Sequence, residues 1–420
     1  MRKFLVLLLL SAFMLSSVGC MGKETPTDTA PTINLMEDPT GYKVTNPMAY
    51  PDYTFDEEPS TLQLRLTAVQ AVQDLLSINW SISQGISYNK TGPVSNKLFM
   101  HAADTTYAGV IYSNASTGLI HFMEYYDHET GRLHFPGSAN QLKETLGASC
   151  ADALIWGLNT VCTSLEGPYY PSTMVIKNGY YPLGSITYDE TLENFSFLPT
   201  DKIMEQNGRD VFIEAFTLVQ PADILVSTPD NHGMMAIERA KVVKNEDGTV
   251  NTAESYIMIQ DQRGGQGTGF YEQTIDGETI QFSGRTSYKF TFDKLLEKAY
   301  MPVTTAEFMG TKEYETASVI ADRQPESFED VLQTTVTCNY PIAVINVTLV
   351  YPDDTSYLIQ KKLYGGAGDA GVPRSVLLGD LTALAKGEFL VELKDECAYT
   401  LVIEVVASNG ERFEPVNLKI

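Results

Sequence analysis

The segment LGASCADALIWGLNTVC, residues 146–162, sets Cys150 at the front edge of an apolar helical pattern and Cys162 at its far end. A cysteine in the first turn of a helix meets unpaired N–H groups and the positive end of the helix dipole. Both favour thiolate over thiol and make the sulfur a nucleophile near neutral pH. The same N–H groups can hold the oxyanion of an acyl transfer. Cys150 follows the small residues Gly147, Ala148 and Ser149 and leads into Leu154, Ile155 and Leu158. Cys162, between Val161 and Leu165, reads as a small buried hydrophobe. On one predicted helix the two sulfurs stand about 18 Å apart, too far for a disulfide.

A nucleophilic cysteine needs a base. Of the five histidines, His101, His121, His128 and His134 precede Cys150, and only His232 follows it. His232 opens the run HGMMAIERAKVV, after the strand-like PADILVS and the turn TPDN. The group KNEDGT then turns the chain back into ESYIMIQDQ. With the turn centred on Glu246 and Asp247, antiparallel pairing sets His232 opposite Asp261, on one face of the sheet. A carboxylate there accepts from one ring nitrogen and leaves the other for Cys150. A slip of one residue selects Gln260 or Gln262 instead. The preference is Asp261, then Gln262, against the plain alternative of a solvated strand end.

These residues must be carried by a helix and a sheet. STLQLRLTAVQAVQDLLSINW places Leu62, Leu66, Val69, Val72 and Leu76 at helical spacing, with Trp80 closing the pattern. PADILVS, HGMMAIERAKVV, ESYIMIQDQ and TSYKFTFDKL read as antiparallel strands. The class is α+β over residues 59–300, with 301–334 a connection. From 335 to 420 strands alternate with turns, which suits a small all-β sandwich of the immunoglobulin-like kind. This last part is expected to fold alone, and its removal to spare the hydrolysis of small peptides. Cys338 and Cys397 both lie in it and are candidate partners for a disulfide, worth about 4 kcal/mol in the chain-entropy model.

The chain has 420 residues and a formal net charge of −24, which argues against nucleic acid, since a phosphate backbone calls for clustered Lys and Arg. MRKFLVLLLLSAFMLSSVGC has the basic start, short apolar run and small-residue end of an export signal. It resembles a lipoprotein signal, in which Cys20 is acylated and becomes the mature N-terminus. Residues 21–58, rich in Pro, Thr and acidic side chains, read as a tether. The expected location is extracellular, on the outer face of the cytoplasmic membrane. The His and Cys residues lack metal-ligand spacing, and RGGQGTGF, Arg263 to Phe270, lacks the Lys and helix of a phosphate loop. No cofactor is expected.

A Cys at a helix start, a strand with Asp near its beginning, a turn, a His heading the next strand and a polar residue on the one after resembles the papain-like cell-wall cysteine peptidases. The nearest are the NlpC type and the related CHAP amidases. The resemblance covers roughly residues 60–300. Where these families carry Gly-Asp-Ile-Leu-Val, this chain has PADILV, with Ala222 in place of Gly. YAGVIYS resembles their Gly-Ile-Pro-Tyr element through Gly109, Tyr112 and Ser113, with Ile111 in place of Pro. The cysteine stands in SCADA, and residues 114–145 form an insertion. The resemblance implies a papain-like fold and cleavage of an amide bond in peptidoglycan stem or cross-link peptides. Cys150 is then nucleophile, His232 base, Asp261 or Gln262 the orienting group, and Tyr112 a substrate contact. The alternative from another class is an inactive papain-like domain that binds the wall as an adhesive lipoprotein. A third keeps the nucleophile and changes the acyl substrate.

Overall fold

The computed structural model describes residues 53–420 apart from 84–85, 90–97, 113–121, 124, 128–129, 135–146, 168–169, 189–198, 264–270, 276–277, 283, 365–371, 388 and 391–397. The signal segment with Cys20, most of the tether, the glycine-rich residues after Arg263 and Cys397 lie outside the described residues.

Helix α1 (Thr61–Leu76) starts where the side chains of Ser60 and Gln63 each accept from the other's backbone N–H, a capping box. It buries Leu64, Ala68, Val69, Val72, Leu75 and Leu76, whereas Leu62 of the expected face is 56% exposed. The stripe is rotated because Arg65 is drawn inward. Its guanidinium donates to the Pro221 carbonyl and to Asp223, each at 2.7 Å, and to the Phe308 carbonyl at 3.1 Å. Burial pushes the Asp223 carboxyl up, against the pull of Arg65. Removing either partner strands a buried charge at a cost of about 3–5 kcal/mol, so this pair pins α1 to the sheet.

Helix α2 (Cys150–Leu158) packs on α1. The sheet comprises β1 (Tyr180–Pro182), β2 (Ile224–Ser227), β3 (His232–Ala236), β4 (Tyr256–Gln262), β5 (Gly284–Thr291) and β6 (Met301–Thr305). Its order is β5-β4-β3-β2-β6-β1, antiparallel throughout. The central β2 and β3 are buried at every position, as continuous apolar runs require. Helix α2 lies directly on β3. A Cβ on Gly233 would stand 2.8 Å from Leu154 Cδ1, so a glycine beside His232 is what admits the helix this closely. Two helices, α3 (Thr200–Asn207) and α4 (Arg209–Thr217), precede β2. Sequence periodicity misses them because each has only two or three buried positions among charged ones.

Two further sheets form the C-terminal part. One has the order β7 (Val319–Ala321), β8 (Thr335–Cys338), β11 (Ser375–Leu377). The other runs β10 (Ser356–Leu363), β9 (Ile342–Val350), β12 (Thr400–Ala407), β13 (Arg412–Lys419). They enclose a common core that includes Val336, Ile345, Val347, Val376, Leu401, Ile403 and Val416. The expected boundaries shift. β6 belongs to the first sheet and β7 pairs with β8, so 301–334 is not a plain connection.

The C-terminal part also packs against the first. Ala343, Val344, Leu363 and Val406 share a core with Trp80, Val110, Ile111, Ala148 and Ala153, and Ser408 donates to the Asn159 carbonyl. Truncation after residue 316 is therefore expected to lower the melting temperature and small-peptide turnover together, which calorimetry and a peptide assay on the shortened chain would measure. Retention of both would restore the independent module. The expected Cys338–Cys397 disulfide involves Cys397, which lies outside the described residues. Cys338 is free among the described residues and packed in the core of the two sheets, and burial pushes its pKa up. Among the described residues no helix is long and apolar enough to cross a membrane.

Candidate active site

Ser149 and Asp152 build the start of α2. Asp152 Oδ2 accepts from the Ser149 N–H at 2.7 Å, and Ser149 Oγ accepts from the Asp152 N–H at 3.2 Å. The S-x-x-D pattern is a capping signature that was open to reading from the sequence. Asp152 is thereby committed to the cap. The box occupies two of the first-turn amides, and the Ala153 N–H reaches the Ser149 carbonyl. The N–H groups of Cys150 and Ala151 remain, pointing out of the helix start as a helix N-terminus dictates. Cys150 itself is 5% exposed.

The approach to α2 is braced. The Ala148 N–H donates to the Ile111 carbonyl at 2.8 Å, and Tyr112 bridges Ala148 in parallel. Gly147 makes this possible: it has φ of +114°, and a Cβ there would lie 1.7 Å from the Ile111 oxygen. Tyr112 is thus carried beside the backbone that leads to Cys150.

His232 begins β3 and is buried, and its Nε2 lies 2.7 Å from Asp261 Oδ2. The other nitrogen, Nδ1, is left for Cys150, whose side chain is near enough to raise the ring's pKa. Burial alone would push His232 toward the neutral ring. The charge of Cys150, the Asp261 hydrogen bond, the Cys150 hydrogen bond and the charge of Asp261 together outweigh it and raise the pKa above 6.5. The sign for stability follows: a raised folded-state pKa contributes stability that is full below about pH 6.5 and is lost as pH climbs through the folded value.

The predicted pair forms, though not by the predicted register. The ladder joins Ile259 to Ala236 and Gln260 to Met235, so position 263 and not 261 would stand opposite His232. The slip is two residues, which keeps Asp261 on the same face, and the two side chains meet diagonally. Both neighbouring glutamines are engaged elsewhere. Gln260 donates to the Val69 carbonyl at 3.0 Å, and Gln262 to the Val110 carbonyl at 2.6 Å. Gln262 therefore links the Asp261 strand to the segment bracing Cys150 and does not orient the ring.

Cys162 is past the end of α2, not on it, 3.5 Å from Thr305 Oγ1. Burial pushes its pKa well up, and the nearby Glu307 carboxylate adds to this. It is a core thiol. Among the described residues no group of three or more His, Cys, Asp or Glu could hold a metal.

Asp230 is the residue that sequence reading overlooks. Burial pushes its carboxyl up, but a hydrogen bond from Tyr300 and the charges of Arg263, Lys298 and His232 hold it below the usual carboxylate range. Its partners lie 33 and 70 positions away, so no local pattern announces them. Comparison of the chain with family models, curated proteins and solved structures gave no match.

Proposed function

We propose that this protein is a secreted, membrane-tethered cysteine hydrolase that cleaves an amide bond in peptidoglycan peptides, on a papain-like NlpC-type domain followed by an immunoglobulin-like sandwich. The observation that carries the reading is the line from the start of α2 through His232 to Asp261. Cys150 thiolate attacks the amide carbonyl, and the oxyanion is held by the N–H groups of Cys150 and Ala151. The His232 imidazolium gives its proton to the leaving amine as the C–N bond breaks, leaving a thioester on Cys150. The now neutral ring takes a proton from water, whose oxygen attacks the thioester and releases the acid and the thiolate. Asp261 holds the ring with Nδ1 toward sulfur throughout.

A second observation supports the family likeness. Ala222, where the family pattern has Gly, has φ of +67°, a region that suits glycine and costs other residues about 1–2 kcal/mol. The chain keeps the turn that the glycine serves. Ala222→Gly is expected to stabilise the protein by about 1 kcal/mol and leave turnover unchanged. A rise of about 1 °C in the melting temperature would measure it. A fall would mean that the buried methyl outweighs the backbone strain.

An export signal followed by a tether supports the reading, since it would carry the domain to the wall peptides. Incubating the chain with purified peptidoglycan and weighing the released fragments tests the reading. Fragments severed at one amide bond, absent with Cys150→Ala, are expected. Tight binding to the wall without release would select the inactive, adhesive alternative.

A further inference from the structure

Pairing between β3 and β4 stops short of the residues that act. The ladder's partners are Ile259 with Ala236 and Gln260 with Met235. The register of β4 against β5 also shifts between Ile259 and Asp261. His232 and Asp261 thus sit at strand ends beyond the described rungs between their own strands. A relay of this kind needs its side chains held within about 0.5 Å of the working geometry.

Other side chains close that gap. Asp230 stands two positions before His232, and Arg263 two positions after Asp261. The Arg263 guanidinium meets Asp230 Oδ2 at 3.3 Å, Tyr300 donates its hydroxyl to the same oxygen at 2.6 Å, and Lys298 Nζ lies 3.5 Å away. Ser227 Oγ accepts from the Asp230 N–H at 3.0 Å and donates to the Lys298 carbonyl at 2.6 Å. Asn231, between Asp230 and His232, is in the left-handed region at φ of +45°, a conformation that persists only where its surroundings enforce it.

We propose that Asp230 is a positioning residue of this site: with Arg263 and Tyr300 it clamps the strand ends bearing His232 and Asp261 together where the sheet no longer does. The three consecutive residues Asp261, Gln262 and Arg263 then tie β4 to the base, to the segment beside the nucleophile and to the turn that presents the base. The charged groups that act on the ring are Cys150 from α2 and Asp261 from β4, and the ring's charge in turn acts on Asp230 in the β2–β3 turn.

The inference rests on the hydrolase reading for its kinetic consequence, but its structural content can be tested apart from it. In the full chain, Asp230→Asn is expected to lower kcat about 10–100-fold with KM nearly unchanged, the size of effect that misplacement of a catalytic group produces. The midpoint of the His232 ring, followed by NMR and assigned with His232→Gln, is expected to fall by about half a unit or more. Arg263→Gln and Tyr300→Phe should move both readouts the same way, less strongly, with Arg263→Lys closer to wild type than Arg263→Gln. Unchanged His232 midpoint and kcat in folded Asp230→Asn would overturn the clamp. So would activity lost only in step with the melting temperature, at a fixed His232 midpoint. If the clamp fails alone, Cys150→Ala and Asp261→Asn remain inactive. If the hydrolase reading fails, those variants behave as wild type, and the His232 titration still decides the clamp.

Discussion

Cys150→Ala is expected to abolish hydrolysis, by at least about 10³-fold, because no other group at the start of α2 can form the thioester. The fold should survive. The side chain removed is small and buried, and its loss is a cavity of one sulfur, costing about 1 kcal/mol. Cys150→Ser should be nearly as inactive, since His232 and the helix end suit a thiolate, and a hydroxyl does not ionise at neutral pH. Steady-state assays beside thermal melts would measure both. Turnover within tenfold of wild type in folded Cys150→Ala would remove the nucleophile and the mechanism with it.

Asp261→Asn has the second largest effect. The amide keeps the shape but loses the charge that favours imidazolium and fixes the ring with Nδ1 toward Cys150. A drop in kcat of about 10²-fold or more is expected with little change in KM, because the residue acts on the ring and not on the ligand. The pH profile gives a sharper sign. On the alkaline side activity is expected to fall when the ring gives up its proton, which in the wild type happens above 6.5 because the pKa is raised. Without the Asp261 charge that limb moves to lower pH, and the stability that His232 contributes is lost at correspondingly lower pH. An unmoved alkaline limb with normal kcat would show that Asp261 does not act on the base.

The turn in KNEDGT is where the sequence places it, with the Gly248 N–H donating to the Asn245 carbonyl at 3.0 Å around Glu246 and Asp247. Counting outward from it fails because the hairpin is irregular. Lys244 bridges Val250, but Lys241 bridges Tyr256, and strand register is recorded in no single residue. Asp261 survives that error because side chains alternate with a period of two and the slip is even. Had it been odd, Gln262 would face the ring.

Other parts were illegible for a different reason. Helical spacing marks α1 but cannot reveal that Arg65 turns inward, since its partner Asp223 is 158 positions away. Alternation marks the strands of the C-terminal sheets, with β9 buried at Ile345, Val347 and Leu349. It says which face is apolar and not what covers it, so contact of Val344 and Val406 with the core behind Cys150 could not be foreseen. The placements of Cys150 and His232, by contrast, were legible because a helix start and a strand start are local signals.

The most direct test of the central claim is the rate at which each thiol of the native chain is alkylated by iodoacetamide between pH 5 and 9, mapped by mass spectrometry. Cys162 and Cys338 are buried thiols with raised pKa values, whereas Cys150 lies beside a histidine held by a carboxylate. The account predicts that Cys150 is labelled at least about 100-fold faster than either at neutral pH, and that His232→Ala removes the advantage. Equal, slow labelling of all three, unchanged by His232→Ala, would contradict it.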